Sequence, residues 1–162
     1  MTDQDYNLCV DNHADGVYRF IVKNIKNVEE TRDIVQSAFE KLWMHRGRVT
    51  SIKAKSYLYT VAYHQMIDVI RQEKRKPTTN EFHEVDQVTH QTSNELKQQL
   101  LWAVNQLNPT QKSLILLKDY EGYSYQEIGE IMNLSESQVK VYLHRARLFL
   151  KTKLLELEKV NP

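Results

Sequence analysis

The stretch LNPTQKSLILLKDYEGYSYQEIGEIMNLSESQVKVYLHRAR, residues 107–147, decides the fold. Asn108 followed by Pro109 is a helix start, and Leu114, Ile115 and Leu117 carry that helix on until Glu121 and Gly122 stop it. Ser124 with Glu127 forms a capping box that opens a short helix over residues 125–132. Asn133, Leu134 and Ser135 then make a turn, and Ser135 with Gln138 forms another box that opens a long basic helix. Two capped helices joined by so short a turn are a helix-turn-helix pattern. In the second of them Val139, Leu143, Ala146 and Leu150 share one side and anchor it to the preceding helices. Ser137, Lys140, Val141, His144, Arg145 and Leu148 point away, with Gln138 beside them at the helix start. A recognition helix sets its first side chains against base edges in the major groove, and this face offers the donors and apolar contacts required. It is the expected DNA reader.

Working outward, Leu96, Leu100, Val104 and Leu107 predict a short amphipathic helix before Asn108. Preceding it, PTTNEFHEVDQVTHQTSN at residues 77–94 has neither helical nor alternating apolar spacing and reads as a flexible linker. Its His83, Glu84, Asp86 and His90 are of metal-ligating type, but nothing in the pattern orders them, and no metal or other cofactor is expected. Charge follows the same division: residues 1–76 carry net +3, residues 77–95 net −4 and residues 96–162 net +2.

The block before the linker reads as three helices. The first spans residues 5–25, and the run Asn27, Val28, Glu29, Glu30 resembles a capping box opening the second. In the second, Val28, Thr31, Ile34, Val35, Ala38, Phe39 and Leu42 form a core stripe. Glu29, Asp33, Gln36, Ser37, Glu40 and Met44 lie opposite. Residues 47–51 break the pattern, and a third helix spans residues 54–76. Its stripe is Leu58, Ala62, Met66 and Val69, while Tyr57, Thr60, Val61, His64, Asp68 and Arg71 face outward and the end is basic, with Arg71, Lys74, Arg75 and Lys76. Aromatic rings give unpaired bases a stacking platform and basic side chains track phosphates, so this face has the character of a single-strand binding surface. The competing reading is that the last lysines complement the helix dipole and the tyrosines pack on a neighbouring helix.

The class is therefore all-α, with two small helical domains, residues 1–76 and 95–162, joined by the linker. Composition agrees. Four glycines and three prolines in 162 residues leave too few turn formers for a β-rich fold. There is no apolar run long enough to span a membrane. The start MTDQDYNLCV lacks the positive end and apolar stretch of a signal peptide, and the single Cys9 has no internal disulfide partner, so a cytoplasmic location is expected. No phosphate loop, paired-histidine helix or activated nucleophile is present, and no enzymatic activity is expected.

Three segments together resemble the bacterial RNA polymerase sigma factors: DIVQSAFEKLW (33–43), SYLYTVAYHQMIDVIRQEKRK (56–76) and the 107–147 stretch. The resemblance is to the extracytoplasmic-function group, which keeps only the second and fourth sigma domains joined by a linker. It implies a promoter-specificity subunit that binds core RNA polymerase. Asp33, Gln36, Ser37 and Glu40 then correspond to the surface docked on the β′ clamp helices. The loop at residues 46–53 and the third helix, with Tyr57, Thr60, His64, Arg71, Lys74, Arg75 and Lys76, correspond to the part that melts and captures the −10 element. Ser137, Gln138, Lys140, Val141, His144 and Arg145 correspond to the −35 reader, in a domain that also meets the β flap. A membrane-associated anti-sigma factor is the further partner implied, with no insertion of this chain into the membrane. The sequence departs from the common pattern at Tyr63 and His64, where many members carry Asn, and at Val141 and Tyr142, where many carry Ser-Arg. The rival is an autonomous helix-turn-helix regulator; such proteins usually dimerise, and the chain lacks a heptad seam for that.

Overall fold

The computed structural model describes residues 1–75 and 95–160, and the linker reading, its metal-type residues and Lys76 lie outside them. The described residues form seven α-helices: α1 Asp3–Ile25, α2 Val28–Met44, α3 Ser51–Arg75, α4 Glu95–Asn105, α5 Pro109–Ile115, α6 Tyr125–Met132 and α7 Glu136–Val160. Between α5 and α6 the chain makes a π-helical turn, Leu116–Tyr120, and leaves it through Gly122 at φ 75°. The all-α expectation holds.

Local chemistry sets the helix ends. Thr2 and Asp5 make a reciprocal capping box, which starts α1 at Asp3, two residues before the position expected from periodicity. At α2 the Asn27 side chain accepts from the Glu30 amide, and Thr31 Oγ1 donates to the Asn27 carbonyl, so a single cap stands where a full box was expected. Asn108 with Gln111, Ser124 with Glu127 and Ser135 with Gln138 are all reciprocal boxes.

Helices α1, α2 and α3 pack on one another, and α4 and α5 pack against α7 with α6 beside them. The stripe read on α2 is buried at Thr31, Ile34, Ala38, Phe39 and Leu42, but Val28 at its start is exposed. Helix α4 buries Ala103 and Val104, whereas Leu96 and Leu100 are exposed, which corrects the stripe expected there. Helix α3 buries Tyr59 and Tyr63 in addition to Leu58, Ala62 and Met66, while Val69 is only partly covered. The reason is that α3 has neighbours on three sides, α1, α2 and α6. The two halves are thus packed together, and their buried side chains form one continuous cluster.

That seam has a polar frame. The Tyr59 and Tyr123 hydroxyls share a hydrogen bond of 2.6 Å, with the rings edge to face at 5.1 Å. Arg19 donates twice to Glu121, at 3.1 and 3.0 Å, and Lys53 and Lys55 pair with Glu130 and Glu127, each at 3.2 Å. Gly16 allows the approach, because a Cβ there would fall inside van der Waals contact of the Tyr59 hydroxyl.

Candidate functional site

Three exposed faces stand opposite buried stripes. On α2, Asp33, Gln36 and Glu40 are exposed and Ser37 is half-buried, with Gln36 Nε2 donating to Glu40 Oε1 at 3.1 Å. This face continues into Trp43 and Met44, which are exposed although apolar. Tyr6 meets the Trp43 ring edge-on at 4.9 Å and the Arg46 guanidinium lies 3.8 Å from its centroid. Helical spacing places Trp43 on neither the core stripe nor the polar face of α2, and it stands exposed at the helix end in contact with Tyr6 and Arg46.

On α3 the residues expected outward separate into two groups. His64, Asp68, Arg71, Lys74 and Arg75 are exposed, whereas Tyr57, Thr60 and Val61 are half-buried. Tyr57 sits edge-on to His45 at 6.4 Å, and Thr60 Oγ1 donates to the Ser56 carbonyl at 2.7 Å, so its hydroxyl is already used by its own helix. Burial moves the Tyr57 phenol up from its ordinary pKa. Tyr63, adjacent to His64 and at one of the departures from the common pattern, is buried and stacks on Phe20 at 6.5 Å. At the helix start Ile52 is 90 % exposed, an apolar side chain at the tip of the 46–53 segment that periodicity did not single out.

On α7, Val139, Leu143, Ala146 and Leu150 are buried as read, and Ser137, Lys140, Val141, His144 and Arg145 are exposed. Val141 is open to solvent for 46 % of its surface. Gln138 is exposed but committed, since its Oε1 accepts from the Ser135 amide at 2.9 Å. Lys140 lies 5.4 Å from the Tyr125 ring and Arg145 6.0 Å from that of Tyr142, both within cation–π reach. Arg147 is taken up by Asp119 in a two-pronged pair at 2.6 and 3.2 Å. The helix-turn-helix corner is tight: Asn133 has φ 56°, and the Leu134 amide donates to the Gly129 carbonyl at 2.9 Å.

Burial pushes the Cys9 thiol up, which keeps it as an unreactive thiol. Among the described residues no cluster of His, Cys, Asp or Glu has the arrangement to hold a metal ion. No described helix is long and apolar enough to cross a membrane.

Comparison with known proteins matches both halves of the chain. Residues 9–76 match the family "Sigma-70 region 2" and residues 97–150 match "Sigma-70, region 4". The chain is 31 % identical to the RNA polymerase sigma factor YlaC of Bacillus subtilis, with 83 % of each chain covered. It is 28 % identical to the ECF RNA polymerase sigma factor SigM of the same organism, covering 86 % of this chain and 88 % of that protein. The sigma factor RpoE of Bartonella quintana, solved in complex with the anti-sigma factor NepR, has the same fold. It is 19 % identical, has a TM-score of 0.69, and is matched over 98 % of this chain and 99 % of that one. CnrH, solved with the cytosolic domain of CnrY, superposes with a TM-score of 0.71 at 18 % identity over 99 % of this chain and 92 % of that one. With both regions present in order and a relative above thirty per cent identity along most of its length, the chain belongs to the sigma-70 family of RNA polymerase sigma factors, in its extracytoplasmic-function group.

Proposed function

We propose that the three faces divide the work of a promoter-recognition subunit, with RNA synthesis itself left to the core polymerase. The α2 face, with Asp33, Gln36, Ser37 and Glu40, docks on the β′ clamp helices. The 46–53 segment and α3 hold the opened −10 strand, the exposed His64 and the half-buried Tyr57 offering rings, and Arg71, Lys74, Arg75 and Lys76 the phosphate contacts. The α7 face reads the −35 element, and its half of the chain meets the β flap. The observation that carries this reading is the pairing of exposed faces on α2 and α7 with buried stripes behind them, Thr31, Ile34, Ala38, Phe39 and Leu42 on α2 and Val139, Leu143, Ala146 and Leu150 on α7, so that neither face is needed to hold the fold. An anti-sigma factor is the regulatory partner, a reading supported by the neighbours solved with the anti-sigma factor NepR and with the cytosolic domain of CnrY, and its place at the membrane is carried by the family resemblance alone. The domains bearing these tasks are residues 1–76 and 95–162.

Asp33→Arg is expected to weaken core polymerase binding about tenfold, near 1.4 kcal/mol, while leaving the unfolding midpoint within about 0.5 kcal/mol of the parent, as exposed substitutions do. Fluorescence titration with core enzyme, beside a denaturant melt, checks both; unchanged core affinity removes the docking assignment. An autonomous regulator would instead footprint duplex promoter DNA without core.

On α7, Val141 has one productive major-groove contact, the thymine methyl, whereas Lys140 serves guanine or phosphate. Val141→Ser is expected to relax preference at a single −35 position by roughly 1 kcal/mol. Selection from a promoter library with the variant holoenzyme reads this out, and a −35 preference that is unchanged, or altered at every position, shows that Val141 reads no base.

A further inference from the structure

Between the halves, where the ends of α1 and α3 face the α4–α5 corner, lies a cleft of about 460 Å³. Its walls include Ile25, Ile70 and Leu107, and its charged groups are Lys112, Lys74 and Glu73. Lys112 is the anomaly. It is 93 % buried by its 7 % exposure, no carboxylate pairs with it among the described residues, and its one hydrogen bond is a long one, 3.4 Å to the Asn24 carbonyl. A buried ammonium is normally paired, because a lone charge out of water is costly. Burial, aided by the nearby Lys26 charge, pulls its pKa down to about 8, which still leaves it mostly cationic at neutral pH. Ligand sites combine apolar walls with a few placed polar groups, and a perturbed titratable group in a cleft marks such a site.

We propose that this cleft binds a small anion with an apolar body, its acid group set against Lys112 and its body against Ile25, Ile70 and Leu107. Lys74 adds a second cation at the mouth, and Glu73 disfavours ligands of high negative charge. Because α1 and α3 supply one wall and the α4–α5 corner the other, an occupant ties the two halves together. The site shares Lys74 with the proposed −10 face and none of the residues assigned to α2 and α7, and its test, made at Lys112, does not depend on polymerase.

Anilinonaphthalene sulfonate supplies an aromatic body of suitable size with one anionic group, and N-phenyl-1-naphthylamine is the same body without it. In the full chain, Lys112→Met is expected to weaken sulfonate binding by at least about tenfold, the loss of a charge-assisted contact, and to leave the neutral probe within about twofold. The variant stays folded because an apolar side chain replaces a buried cation that has no carboxylate partner among the described residues. Backbone amide shifts on binding are expected at Asn24, Asn105 and Lys112. Displacement of the bound sulfonate by 2-naphthoate or by 2-naphthyl phosphate supports the site and ranks carboxylate against phosphate. Equal sulfonate affinity in Lys112→Met, shifts confined to the Tyr6–Trp43–Met44 surface, or displacement by neither acid overturns the proposal.

Discussion

Replacing Gly129 by alanine will destabilise the helix-turn-helix half by about 3 kcal/mol, the upper end of what overpacking costs. A Cβ at this position would stand 2.5 Å from the Leu134 carbonyl oxygen. That oxygen cannot retreat cheaply, since it is backbone held on both sides. Before it, Asn133 is in the left-handed region and the Asn133 and Leu134 amides both bond back to the Gly129 carbonyl. After it, the Ser135–Gln138 box starts α7. For a chain of this size such a loss lowers the melting temperature by roughly 6 to 12 °C. Gly47→Ala is the control, because nothing lies within 4 Å of its Cβ position, and it should fall within about 0.5 kcal/mol of the parent. If the two variants melt together, the close approach at the corner is not what fixes it.

Tyr59→Ala is expected to cost more, about 4 kcal/mol, as for other fully buried aromatics cut to alanine. The Tyr59 side chain is without solvent exposure, tilts against Phe20 at 5.8 Å and meets Tyr123 both by ring edge and by hydroxyl. Burial first, then the Tyr123 hydroxyl, raises its pKa far above the ordinary phenol value, so it remains neutral under all working conditions. The surrounding ion pairs will not compensate, because partly exposed pairs contribute at most about 1 kcal/mol each. Tyr59→Phe keeps the ring and is expected to lose only about 1 kcal/mol. Denaturant melts give both values. Scattering measurements should show Tyr59→Ala expanded relative to Tyr59→Phe, and equal dimensions would mean that the seam stands without the ring.

The parts of the fold that were legible are those written in local chemistry. The boxes at Ser124 and Ser135 and the stripe Val139, Leu143, Ala146 and Leu150 are sequence-local, so periodicity and capping found them. What escaped depended on distant partners. Tyr59 breaks the two-sided pattern because a third side of α3 is covered by α6 and by Tyr123 just before it, more than sixty residues away in sequence, and Tyr63 is buried against Phe20 of α1. Nothing in the local pattern marks Lys112, whose burial is accompanied by a long hydrogen bond to the Asn24 carbonyl, eighty-eight residues away on α1. Among the candidate functional residues, His64, Lys140, Val141 and Arg145 are exposed as read. Thr60 and Gln138 are engaged locally, by a helix carbonyl and a cap, in bonds that helical spacing alone does not reveal.

The seam also has a polarity. Arg19, Lys53 and Lys55 come from the first half, and Glu121, Glu127 and Glu130 from the second. The glutamates therefore take up cations that are separate from the basic end of α3, where Arg71, Lys74 and Arg75 stand exposed. Added salt acts on such a molecule in two places. It weakens contact with phosphates by removing the gain from counterion release, about 0.9 in the logarithmic slope per neutralised phosphate, and it screens the exposed parts of the ion pairs across the seam. Ionic strength is thus expected to loosen the hold of one half on the other as well as any hold on a polyanion, and a salt titration reads the sum of the two.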